Sequence, residues 1–285
     1  MAITMTKHIH VIGCSPRSGT TLMYELLVSC FDIDGRVDHE RSVFKRPPGN
    51  FKVSCTKNPR EAHIIESVLS ANPDLYVIYV VRDPRDVVVS EHKTKPGEYY
   101  VELAQWLFYE DKVTSLKDHS RFIRVSYESL AADPSGVQKQ LQTFLPFVAL
   151  KHQFSDFHKV AKPSADAVNA LHEVRPINSA SIGGWRNHLP RIKVQLLKYG
   201  DISQALIANG YEASSAWLDD IVTADEKRRL PDRDQVYDML EQQMAYDPVR
   251  LARKIRYYRL ERMPVIGNLV KRLHDMNRRR KGTAV

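Results

Sequence analysis

The sequence predicts an α/β fold, a central parallel β-sheet flanked by helices, with a helical segment appended at its C-terminal end. Two observations predict it. Short apolar runs at residues 8–13, 76–81 and 121–125 alternate with segments of helical spacing, and Asp-Pro pairs open two of those helices. Strands that alternate with helices require right-handed crossovers, and these make a parallel sheet covered on both faces. The 285 residues, 43% hydrophobic and 27% charged, suffice for a full core and exclude disordered, collagenous and disulfide-stapled classes.

Residues 8–13 (HIHVIG) read as a buried strand. Residues 20–30 then place Leu22, Met23, Leu26, Leu27 and Cys30 at helical spacing, so the chain runs strand, loop, helix. Ile64, Ile65, Val68 and Leu69 repeat that spacing before an Asn72-Pro73 break, and residues 76–81 (YVIYVV) form the strongest strand. Asp83-Pro84 supplies an N-cap and a first-turn proline for a helix that includes Val87 to Val89. Arg85 beside it reads as a surface arginine. Residues 121–125 (RFIRV) are a third strand, and Asp133-Pro134 repeats the helix-start signal. After about Leu150 the pattern loosens. Gly183-Gly184 marks a loop, and helices at 192–199 and 202–208 are stopped by Gly200 and Gly210. From Trp217 the chain becomes charged and helical, broken at Pro231 and Pro248. The expected division is a main domain over 1–215, a helical extension over 216–249 and a basic amphipathic tail over 250–285.

Cys14, Cys30 and Cys55 stand singly, with no paired-cysteine or paired-histidine spacing. Neither a disulfide framework nor a metal site is expected, and a reducing, cytoplasmic setting fits. No apolar leader opens the sequence and no run of about 18 apolar residues interrupts it, so a secretory signal and a spanning helix are not expected. The net charge of +8 comes from the tail, where residues 250–285 hold twelve Lys or Arg against Glu261 and Asp275. A nearly neutral body argues against nucleic acid as a partner. Leu251, Ile255 and Tyr258, then Ile266, Leu269, Val270 and Leu273, make apolar stripes on either side of Pro264. Such a pair of helices suits an anionic membrane surface, with a peripheral location, or an acidic protein; a helix folded back on the body fits equally.

Residues 13–21 (GCSPRSGTT) lie between the first strand and the first helix, a P-loop-like position where backbone N–H groups and the helix dipole attract a phosphate or sulfate. A nucleoside triphosphatase loop needs Gly-x4-Gly-Lys-Ser/Thr. Counted from Gly13, the second glycine position is Ser18 and the lysine position is Gly19, which disfavours triphosphate hydrolysis.

Pro16-Arg17-Ser18-Gly19-Thr20-Thr21-Leu22-Met23 resembles the 5′-phosphosulfate loop of sulfotransferases that use 3′-phosphoadenosine 5′-phosphosulfate (PAPS), with the tyrosylprotein and carbohydrate branches closest. The run from Val80 to Ser90 resembles the family's 3′-phosphate segment, in which an Arg ending a strand and a Ser eight residues later hold that phosphate; Arg82 and Ser90 have this spacing. Physically, Arg82 leaves the carboxyl end of a strand, where open α/β sheets bind ligands, and its planar fork suits a dianion. Lys57-Asn58-Pro59 resembles the Lys-x-Pro segment whose lysine meets the sulfuryl group. Tyr127-Glu128-Ser129-Leu130 resembles the segment whose tyrosine lies near the adenine. The run from Ser181 to Pro190 resembles the late loop that closes over the nucleotide, with Ser181, Gly183, Trp185 and Arg186 as its binding residues, although Trp185 could equally be core.

The resemblance implies a metal-independent, in-line sulfuryl transfer with PAPS as donor and adenosine 3′,5′-bisphosphate (PAP) as product. Arg17 and Lys57 would stabilise growing charge, and Pro16, Ser18, Gly19, Thr20 and Thr21 would hold the 5′-phosphate. In the tyrosylprotein branch the base is a Glu shortly after the first helix, and the matching offset lands on Asp38, with His39 and Glu40 beside it; the order of preference is Asp38, Glu40, His39. The cytosolic branch takes its base just after the lysine of the third segment, and Pro59 fills that place here. A hydroxyl or amine acceptor is expected, with carbohydrate favoured over a peptide or small alcohol. Rival classes are a small-molecule or nucleotide kinase of related fold and an inactive nucleotide-binding scaffold.

Overall fold

The computed structural model describes residues 7–37, 40–45, 50–92 and 95–262. The chain opens with β1 (Lys7–Gly13), α1 (Thr20–Cys30), β2 (Val53–Lys57), α2 (Ile65–Ala71) and β3 (Leu75–Val81). There follow α3 (Pro84–Val88), a hairpin of β4 (Glu91–His92) and β5 (Lys95–Tyr99), α4 (Leu103–Val113) and β6 (Phe122–Ser126). The helices α5 (Tyr127–Ala132), α6 (Pro134–Phe144), α7 (Phe157–Val160), α8 (Ala165–Leu171), α9 (Leu189–Tyr199) and α10 (Ser203–Ala208) come next. Three more, α11 (Ala224–Arg228), α12 (Arg233–Met244) and α13 (Pro248–Arg262), end the described chain. None of the described helices is long and apolar enough to cross a membrane.

The central sheet has four parallel strands in the order β2-β1-β3-β6. From β1 the chain moves outward to β2, then returns to place β3 on the other side of β1. The strand order therefore reverses between β1 and β3, and the crevice at their carboxyl ends is where such sheets bind ligands.

Side chains alternate across the sheet with a period of two. Ile9, Val11, Ile78 and Val80 bury one face under α1 and α6, with Leu26, Leu27 and Leu141. Ile12, Val77 and Tyr79 bury the other face with Trp106 of α4 and Leu196 of α9. Trp217, Leu218, Val236, Leu240 and Tyr258 enter this second core, so the segments read as a helical extension and the start of the basic tail share it. Through Arg262 the tail is folded back. The Tyr258 hydroxyl accepts from Asn72 Nδ2 at 2.6 Å, its ring meets Phe44 edge-on at 5.5 Å, and Arg262 pairs with Asp74 at 2.7 Å. The second apolar stripe, Ile266 to Leu273, lies outside the described residues.

Both Asp-Pro signals act as expected: Asp83 accepts from the Arg85 N–H at 2.9 Å and Asp133 from the Gly136 N–H at 2.8 Å. Arg85 is a correction. It is 2% exposed, ion-paired with Asp83 and Glu212, and its guanidinium lies 4.1 Å from the Trp185 ring and 5.0 Å from that of Trp217. An always-charged group enters a core only when paired and hydrogen-bonded, and here two carboxylates do both.

Candidate active site

The loop after β1 begins where Cys14 N–H still bonds the Val80 carbonyl at 3.0 Å, which keeps the chain beside β3 as it leaves the sheet. It then curls back tightly. A Cβ on Gly13 would lie 2.2 Å from Ser18 Oγ, so only glycine admits the loop here. Ser18 Oγ donates to the Ser15 carbonyl at 2.9 Å, and both serines are fully buried. Two residues turn left-handed, Arg17 at φ 73° and Gly19 at φ 97°. For Arg17 that conformation costs about 1–2 kcal/mol, a strain typical of sites that aim backbone N–H groups at a ligand. Gly19 passes under Tyr127, whose ring would lie 2.5 Å from an added Cβ. Thr20 and Thr21 then begin α1.

Arg82 follows β3 at the reversal of strand order. Its backbone is fixed by the Trp106 indole, which donates to the Arg82 carbonyl at 2.9 Å. The guanidinium donates to the Arg17 carbonyl at 3.2 Å and to the Ser181 carbonyl, and it stacks 4.4 Å from the Tyr127 ring. Its Nε is buried without a hydrogen-bond partner. Tyr127 bonds Ser181 through their hydroxyls at 2.7 Å. Arg17 Nε donates to Ser90 Oγ at 2.8 Å, and the guanidinium rests 4.8 Å from the Tyr100 ring. The structure thus brings together Arg17, Ser18, Gly19, Arg82, Ser90, Tyr127 and Ser181, from four segments that are distant in sequence.

The late loop is held by Asp86 of α3, whose carboxylate accepts from Gly183 N–H at 2.7 Å and from Trp185 N–H at 3.0 Å. Gly183 turns left-handed there, at φ 77°. Trp185 is buried against Arg85 and Trp217, while Arg186 is exposed with its guanidinium 4.6 Å from the Trp185 ring. These two stand outside the hydrogen-bonded group around Arg82.

Lys57 closes β2, one strand away from the loop. Burial lowers its pKa, and the neighbouring Glu40 carboxylate, with Glu25 of α1 behind it, works in the opposite direction. The Lys57 Nζ lies 3.5 Å from Glu40 Oε1, and the other Glu40 oxygen lies 3.6 Å from Arg60. Asp38 and His39 lie outside the described residues.

Charge pairing separates the arginines. Arg85 is neutralised by Asp83 and Glu212, and Arg124 by Glu110, which also ties up the charge in a cavity of about 300 Å³ lined by Arg124, Ser126, Gln140, Asn209 and Tyr211. Arg17 and Arg82 pair with no carboxylate among the described residues. Two uncompensated guanidinium groups, a buried unpartnered N–H and a strained loop at the sheet's reversal point form a site for a polyanion.

Residues 38–147 match the model of the sulfotransferase family, a stretch that includes Lys57, Arg82, Ser90 and Tyr127. The match spans less than half of the chain. Among solved structures, the sulfotransferase domain from the Synechococcus PCC 7002 olefin synthase is 16% identical over 65% of this chain and 90% of its own, with a TM-score of 0.42. Mouse sulfotransferase SULT7A1 complexed with PAP is 12% identical over 88% of each chain, at a TM-score of 0.39. The sulfotransferase domain from the curacin biosynthetic pathway is 14% identical over 85% of this chain and 99% of its own, at 0.37. No curated protein matches the chain. The sulfotransferase match begins after the loop of residues 13–21, whose geometry is known from the structure alone.

Sequence reasoning missed three contributors to this site. Asp86 looks like an ordinary first-turn acid, Trp106 like a core residue and Tyr100 like the end of a loop. Each acts on a partner far away in sequence.

Proposed function

We propose that this chain transfers the sulfuryl group of PAPS to a hydroxyl or amine acceptor. The observation that carries the reading is the pair of uncompensated cations, Arg17 and Arg82, at the reversal point of the sheet. Arg82, with its free Nε–H, and Ser90 would hold the 3′-phosphate. The loop N–H groups from Arg17 to Thr21 would hold the 5′-phosphate. Bound there, the donor supplies an activated sulfuryl group whose leaving side is a bisphosphate. Arg17 and Lys57 then face charge that grows during transfer, and preorganised cations stabilise such charge without reorganising.

The acceptor must lose a proton as its bond to sulfur forms. Glu40 is the carboxylate ion-paired with Lys57, at 3.5 Å, and it is the base assigned here. A general base has to approach the acceptor at hydrogen-bond distance, which the edge position of Glu40, half-buried between Lys57 and Arg60, allows. A carbohydrate acceptor is favoured within this reading.

A ligand comparison followed by a transfer assay tests it. PAP should stabilise the protein by about 2.7 kcal/mol at a hundredfold excess over its dissociation constant, and AMP at the same concentration far less. Labelled PAPS should then yield a labelled product with at least one member of an acceptor panel. Equal stabilisation by PAP and AMP would remove the 3′-phosphate role of Arg82 and Ser90.

A further inference from the structure

The strand β1 carries two histidines, His8 and His10, on the face opposite Ile9 and Val11, and both are fully buried. His8 Nε2 lies 2.6 Å from Thr56 Oγ1, and His10 Nδ1 lies 2.7 Å from the same oxygen. His10 Nε2 lies 3.0 Å from Glu61 Oε2. A hydrogen-bonded chain therefore runs from His8 through Thr56 and His10 to Glu61, across the two strands that end at the loop and at Lys57.

Glu61 has a second set of partners. The Val43 N–H donates to the same Oε2 at 2.8 Å, and Ser42 adds a side-chain hydrogen bond. Burial works against the ionised carboxylate, but the bonds from His10, Ser42 and Val43 overcome it and hold the pKa below the ordinary range. One residue before, Arg41 N–H donates to the Lys57 carbonyl at 2.9 Å. Residues 41–43 are thus moored at two points, and Glu40 is the residue that enters this mooring.

A buried carboxylate with two buried imidazoles is an expensive way to fill a core that apolar residues would fill as well. What it achieves here is placement. We propose that Glu61 is a positioning residue for the transfer reaction, mooring residues 41–43 so that Glu40 stays beside the Lys57 ammonium. The inference rests on the sulfuryl-transfer reading above and adds to it a residue that touches neither donor nor acceptor. Lys57 is faced by Glu40, by Glu25 of α1 and by Arg60, so displacement of Glu40 removes one of its two anionic neighbours and leaves the opposing Arg60.

The test compares Glu61→Ala, Glu61→Gln and Val43→Pro with the unaltered protein in PAPS-dependent transfer, PAP binding and the pH dependence of kcat. The Gln amide oxygen can still accept from both the Val43 N–H and the His10 Nε2–H, whereas Ala can accept from neither; Val43→Pro deletes the donated N–H and leaves the His10 bond in place. Glu61→Ala and Val43→Pro should each lose about 10- to 100-fold in kcat, the scale of a roughly 1 Å misplacement of a catalytic group. Their PAP affinity should be unchanged. The alkaline limb of kcat should move to lower pH, because Lys57 gives up its proton more readily once Glu40 is displaced. Glu61→Gln should restore most of the rate and the original limb. Wild-type kcat and pH profile in a folded Glu61→Ala, or in Val43→Pro where the former fails to fold, overturns the mooring alone. If the unaltered protein transfers nothing from PAPS to any acceptor, the functional reading falls and the mooring falls with it.

Discussion

Replacing Asp86 by alanine removes the α3 side chain that hydrogen-bonds the backbone of the late loop. Its carboxylate is 5% exposed and accepts two backbone N–H bonds, at 2.7 and 3.0 Å. Hydrogen bonds to a charged group contribute about 1.5–3 kcal/mol each, and the half-buried Gly183 and Gly184 admit water that recovers part of that once the carboxylate is gone. The expected cost of Asp86→Ala is about 3 kcal/mol, with Asp86→Asn intermediate because one acceptor oxygen remains. The loss should not stop at stability. The loop that Asp86 holds presents Ser181 to both Arg82 and Tyr127, so its release loosens the 3′-phosphate site as well. Urea unfolding should show a lower midpoint at unchanged slope, and calorimetric titration should show PAP affinity reduced about tenfold, which is 1.4 kcal/mol of the ordering now left to the ligand. A wild-type unfolding midpoint together with wild-type PAP affinity in Asp86→Ala would refute the reasoning.

Three other outcomes are expected. Gly19→Ala places a methyl 2.5 Å from the Tyr127 ring at a left-handed φ, so it should cost about 1–2 kcal/mol in stability and weaken PAP binding; unchanged binding by titration would show that Tyr127 can yield without consequence. Arg17→Ala should lower turnover at saturating donor by roughly 10² to 10³ while affecting donor affinity less, and wild-type turnover would end its assigned role. Burial pushes the Cys14 thiol up to about 12 and Cys30 to about 11, with Cys55 also raised by burial. Thiolate is then scarce at pH 8, and Ellman's reagent should label none of the three in the native protein but all three in urea; rapid native labelling would contradict the burial.

How much was legible follows from the range of each interaction. β1, α1, β3 and the starts of α3 and α6 were readable because apolar runs and Asp-Pro caps act within a few residues. β2 was not read as a strand. Its sequence, VSCTK, is polar at alternate positions, and those positions are buried only because Thr56 finds His8 and His10 on the neighbouring strand. α4 was passed over because Glu102 caps it through a reciprocal bond with Gln105, without the Ser, Thr, Asp or Asn that usually marks a start. In the site, Arg17, Arg82, Ser90 and Tyr127 were readable as candidates because each lies inside a local motif, and the structure brings them together. Arg85 was misplaced on the surface, since nothing near it reveals Glu212 or Trp217. Trp185 and Arg186 were assigned with Ser181 and Gly183 because the whole run resembles one loop, and no local signal showed that Asp86 would anchor it at Gly183 and Trp185.

The seat of α13 bears on the order in which the protein is made. Phe44, on the segment that carries Glu40, is met by Tyr258, and the Tyr258 hydroxyl is tied to Asn72, 186 residues earlier. Synthesis proceeds from the N-terminus, and the sheet and its anion loop need nothing from α13 to form. The segment around Phe44 does. A chain cut or stopped before Pro248 would keep the strands and the loop yet leave Phe44 and the Asn72 amide uncovered, so truncated and whole molecules differ beside the segment that carries Glu40. A helix made late thus closes over a segment made early.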